Sequence, residues 1–90
     1  METQERLYPG IRARKVKFIG DMIAVPEDQV QRAIAGPILI RVRARGGWLV
    51  APAWRIREFG VRMRIDGRIW WALPEENWVR IADGDKEDGQ

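Results

Sequence analysis

The chain has 90 residues, a net charge of +3, five Trp, and neither Cys nor His. Ser is also absent and Thr3 is the single Thr, so the usual nucleophiles, the neutral-pH general base and the imidazole and thiolate ligands of zinc are all missing. That length suits one small core of aliphatic and Trp side chains, and no apolar run approaches the ~20 residues of a membrane helix.

Met1 to Tyr8 is polar, without the apolar stretch of a signal peptide. It reads as a flexible N-terminus ahead of a single β-rich domain over 9–81. The expectation is a soluble, cytoplasmic protein with no membrane partner.

Three stretches share one plan. RKVKFIGDMIAVP (14–26), IRVRARGGWLVAP (40–52) and VRMRIDGRIWWALP (61–74) each alternate basic with apolar residues. Each then turns at a Gly, runs on as an apolar strand and closes on Pro. Alternation marks a half-buried strand, and Gly-Asp, Gly-Gly and Asp-Gly are hairpin turns, so three β-hairpins are predicted.

Between the first two, Glu27 to Ala35 reads as one short amphipathic helix. Pro26 and two acids stand at its start, Val30, Ala33 and Ile34 share a face, and Gly36-Pro37 ends it. Ala53 to Phe59 alternates again and is predicted as a strand, with Trp54 in the core. Trp78 to Ile81 is a last short strand, with Trp78 also buried. From Ala82 the chain is acidic and lacks further apolar residues, which predicts a disordered tail over 82–90.

Turn positions fix which side chains share a face. A Gly20-Asp21 turn puts Val16, Phe18, Ile23 and Val25 inside and Lys15 and Lys17 outside. A Gly46-Gly47 turn buries Ile40, Val42, Ala44, Leu49 and Ala51 and turns Arg41, Arg43, Arg45 and Trp48 outward. In the third hairpin a two-residue Asp66-Gly67 turn would mix Arg64 with Ile69 and Met63 with Trp70. A three-residue loop, Ile65-Asp66-Gly67, keeps Val61, Met63, Ile69 and Trp71 inside and Arg62, Arg64, Arg68 and Trp70 outside.

If the hairpins share one sheet, Lys15, Lys17, Arg41, Arg43, Arg45, Arg62, Arg64 and Arg68 form a continuous basic wall carrying Trp48 and Trp70. Cations that neutralise phosphates beside aromatic planes that stack bases are what single-stranded nucleic acid needs. The same residues fit two other uses. One is a protein-docking patch, since Trp and Arg dominate interface hot spots; this suits an assembly or inhibitor protein. The other is a solvated face on which guanidinium groups stack on indoles. Exposed Trp also suits homo-oligomerisation.

Catalysis finds no support. Glu27/Asp28 and Glu75/Glu76 sit beside Pro, where helix or turn capping explains them. The acidic tail lacks the bidentate Glu of a calcium loop, and no phosphate-binding Gly motif occurs. No cofactor and no metal are expected.

WWALPEENWVRI (70–81) resembles the end of Src-homology-three-like barrels: a strand, a short helical turn with Pro, then a last strand beginning at an aromatic. The resemblance implies a small barrel that binds peptide or nucleic acid. Peptide-binding members carry a Tyr-rich patch and an acidic loop, whereas this chain has only Tyr8 and a basic middle. KVKFIGDMIAVPEDQVQRAIAG (15–36) is similar in layout to many small phage-encoded proteins, which would make the cytoplasm that of a host cell. The expected fold is all-β with one short helix: a small antiparallel sheet of three hairpins rolled into a partly open Src-homology-three-like barrel. Two packed sheets are the alternative.

Overall fold

The computed structural model describes residues 10–81; the expectations for 1–8 and 82–90 lie outside the described residues. The chain runs β1 (Ile11–Arg12), β2 (Lys17–Ile19), β3 (Met22–Pro26), α1 (Glu27–Ala35), β4 (Leu39–Ala44), β5 (Gly47–Pro52), α2 (Ala53–Phe59), β6 (Val61–Ile65), β7 (Arg68–Pro74), a 3-10 turn (Glu75–Asn77) and β8 (Val79–Ile81). The described residues are mostly β, with two short helices.

The strands form two four-stranded sheets, ordered β1-β4-β5-β8 and β2-β3-β7-β6, which do not close into a barrel. The hairpins therefore do not share one sheet: the second lies in one, the first and third in the other. The first sheet is not purely antiparallel, because β1 pairs parallel to β4.

One core joins the two sheets. Ile40, Val42, Leu49 and Ala51 of the first sheet, Ile23, Val25 and Leu73 of the second, and Val30, Ala33, Ala53 and Ile56 of the helices are all buried in one cluster. Trp78 belongs to it as expected, its Nε1 donating to the Leu73 carbonyl at 3.2 Å. The opposite face of the second sheet carries a smaller cluster of Ala24, Trp70 and Ala72 with Met22, Met63 and Ile65 against it.

The first hairpin has the expected register, Ile19 opposite Met22. In the second, Ala44 pairs with Gly47 and Arg43 with Trp48, so the turn is Arg45-Gly46. That is a shift of two residues. Because side chains alternate with period two, the buried and outward sets are unchanged.

The third hairpin departs from expectation. Ile65 pairs with Arg68 across a two-residue Asp66-Gly67 turn. Both turn residues have positive φ, 53° and 79°, the conformation that matches strand twist and that Asp-Gly favours. Met63 then lies opposite Trp70, and Arg62 opposite Trp71. Arg62 and Arg64 share the side of Trp71, away from Trp70. The polar and apolar mixing that argued for a longer loop is real, because β6 is an edge strand and leaves room for charge on either side.

Ala53 to Phe59 is helical, where alternation suggested a strand. Ala53 and Ile56, three apart, are its buried residues, a helical spacing that also fits period two over so short a run. Pro52 precedes the helix, and the Gly60 amide closes it on the Ile56 carbonyl at 2.8 Å. A Cβ at Gly60 would run into that same oxygen. Trp54 turns away from the core and is 53% exposed, against the expectation that it is buried.

Candidate binding surfaces

Trp48 lies on the outer face of the first sheet. Strand pairing sets Arg12 beside Arg41 and Arg43 across from Trp48. Their guanidinium carbons stand 5.1, 5.0 and 5.4 Å from the indole centroid. Arg41 is only 4% exposed. Each such contact contributes ~0.5–1 kcal/mol when exposed and about 2 when desolvated. Arg12 was invisible to sequence reasoning, because the short parallel pairing that brings it there has no local signature.

Trp70 lies on the outer face of the second sheet and is 3% exposed. Lys17 Nζ sits 5.2 Å and Arg68 Cζ 5.8 Å from its ring centroid. Its Nε1 is buried without a hydrogen-bond partner among the described residues. Lys15, Lys17 and Arg68 surround a recess of about 330 Å³ at this corner, with Trp70 and Asp66 also lining it.

The predicted wall is thus divided. Arg41, Arg43 and Trp48 come together on one sheet; Lys15, Lys17, Arg68 and Trp70 come together on the other. Arg45 stands at the β4–β5 turn. Arg62 and Arg64 point to the other side of β6, where Arg62 meets Glu27 at 3.8 Å. Arg68 meets Asp28 at 3.9 Å. Both are long, exposed pairs of little energetic weight. The expectation of an open ring at Trp70 is corrected, because Trp70 is enclosed; Trp48 faces outward and is half-buried, with three guanidinium groups over its ring.

Two surfaces escaped sequence reasoning. A cleft of about 710 Å³ opens where the hairpin ends of the two sheets part, lined by Phe18, Ile23, Ala44, Arg45, Glu75 and Arg80 among others. Phe18 was assigned to the core and is 58% exposed. It shares a face with Ile23 but stands on β2, the edge strand of its sheet, where only one side is covered by a neighbouring strand. A shallower hollow on the helices is lined by Ile34, Trp54, Arg57 and Glu58.

Among the described residues no group of three acidic, His or Cys side chains is placed to hold a metal, and no helix is long and apolar enough to cross a membrane. Fold and surfaces together define a small two-sheet β-domain with cation-rich outer faces. The chain matches no protein-family profile, no curated protein and no solved structure.

Proposed function

We propose that this is a small non-enzymatic binding module for nucleic acid, single strands favoured, in which Lys15, Lys17 and Arg68 contact phosphates and Trp70 serves as the platform that holds Lys17 and Arg68. The observation that carries this is the convergence of Lys15, Lys17 and Arg68 on one recess. Among the described residues Lys15 and Lys17 form no ion pair, and the Arg68 pair with Asp28 is long. A phosphate entering that corner gains charge-assisted contacts and releases counterions.

The test is fluorescence anisotropy with a labelled single-stranded oligonucleotide. Lys15→Glu with Lys17→Glu should weaken binding at least tenfold. Arg62→Glu with Arg64→Glu, on the other side of β6, should weaken it less than threefold. Equal losses in both, or no binding by the unaltered protein, would refute the assignment.

A second reading, docking on another protein, is favoured by Trp54. This large side chain stands half-exposed beside Ile34 with Arg57 and Glu58 at the edge, the composition of an interface hot spot. A partner retained after nuclease treatment and lost on Trp54→Ala would favour it over nucleic acid.

A further inference from the structure

We infer that the cleft between the open ends of the two sheets is a nucleotide subsite, where Phe18 stacks on a base and Arg45 and Arg80 take the adjoining phosphate. The inference rests on the nucleic-acid reading and adds to it the place where a base is held.

The cleft is built by both sheets. The β2–β3 hairpin supplies Phe18 and Ile23, the β4–β5 hairpin supplies Ala44 and Arg45, and Arg80 comes from β8. Its volume of about 710 Å³ lies within the ~300–1,000 Å³ range of small-molecule sites. One wall is apolar and aromatic, the other cationic.

Phe18 occupies a core-facing position: its strand partner is Ile23, which is 2% exposed. Phe18 itself is 58% exposed. An aromatic ring so placed offers the open stacking surface that Trp48 and Trp70, under their cations, do not. Stacking on a phenyl ring tolerates any base, so the subsite should be indifferent to sequence.

The cations opposite are available. Arg45 forms no ion pair among the described residues. Arg80 donates from Nη1 to the Arg45 carbonyl at 3.4 Å, which ties the two Arg to one place. Its Nη2 meets Glu75 Oε2 at 3.8 Å with both side chains about half-exposed, a pair weak enough to give way to a phosphate. A guanidinium then meets phosphate with two parallel donors. Among the described residues Glu75 is the one acid lining the cleft, so Glu75→Gln should tighten binding.

The experiment uses the full chain, with backbone amide NMR shifts followed during titration by AMP and by ribose 5-phosphate. Oligonucleotide anisotropy is run in parallel. AMP should shift Gly20, Ala44 and Arg45, and ribose 5-phosphate should bind at least fivefold more weakly. Phe18→Ala should cost about 5- to 100-fold in oligonucleotide affinity, and Phe18→Trp should restore it. An oligonucleotide affinity unmoved by Phe18→Ala but lowered by Lys15→Glu with Lys17→Glu would overturn the subsite and leave the nucleic-acid reading standing. AMP bound in the cleft of a protein that ignores oligonucleotides would keep the subsite and sink that reading. If neither probe binds, both fall.

Discussion

The register of the third hairpin decides which side chains Trp70 meets, and a double-mutant cycle tests it. Met63 lies opposite Trp70 and packs into the small cluster with Ala24 and Ala72. A fully buried Met→Ala change costs ~2–5 kcal/mol. Met63 is half-buried, so Met63→Ala should cost about 1–2 kcal/mol. Arg62→Ala and Arg64→Ala, both exposed, should stay within about 0.5 kcal/mol. Cross-strand packing and sulfur–aromatic contact predict that Met63→Ala and Trp70→Phe couple by ~0.5–1 kcal/mol. A domain of this size has roughly 5–10 kcal/mol of stability, so every variant stays folded. The assay is urea unfolding followed by circular dichroism. Additivity within about 0.3 kcal/mol between Met63 and Trp70, with coupling between Arg62 and Trp70 instead, would restore the three-residue loop and refute the register.

Other outcomes follow from the same packing. Asp66 has φ 53°, so Asp66→Val should cost about 1–2 kcal/mol while Asp66→Asn is neutral or slightly stabilising; urea midpoints check both. Ile56 is fully buried and Trp54 is 53% exposed, so Ile56→Ala should cost ~2–5 kcal/mol and Trp54→Ala, though larger, under about 1.5. The reverse order would argue for a strand at 53–59. Deleting residues 82–90 removes Asp83, Asp85, Glu87, Asp88 and Lys86, four acids and one base, and so raises the net charge from +3 to +6. Oligonucleotide binding should tighten at low salt, with the gain disappearing near ~1 M.

Hairpins were legible because their information is local. Gly-Asp, Gly-Gly and Asp-Gly between alternating runs locate turns within a residue or two, and a slip of two around Trp48 leaves the faces intact. Only a change in loop length by one residue reverses a face, as it did for Met63, Arg62 and Arg64. The first helix and the burial of Trp78 were legible for the same reason. Sheet assignment was not legible. Nothing in 40–52 says that this hairpin pairs with Ile11–Arg12 and Val79–Ile81 rather than with its look-alikes. That choice is made by tertiary packing, and it broke one expected wall into two. Seven residues at 53–59 fit both periods, and burial of Ile56 with Gly60 behind it selected the helix. The candidate site was therefore half visible. Its cations were identified as outward-facing, but neither their grouping nor the exposure of Phe18 and Trp54 was.

The salt dependence of single-strand binding tests the divided surface most directly. Each phosphate contact on a single strand contributes about −0.7 to the slope of log affinity against log salt. Contact through Lys15, Lys17 and Arg68, with or without Arg45 and Arg80, predicts a slope between about −2 and −3.5. A slope near −6, which eight cations on one continuous wall would produce, or a slope near zero would contradict it.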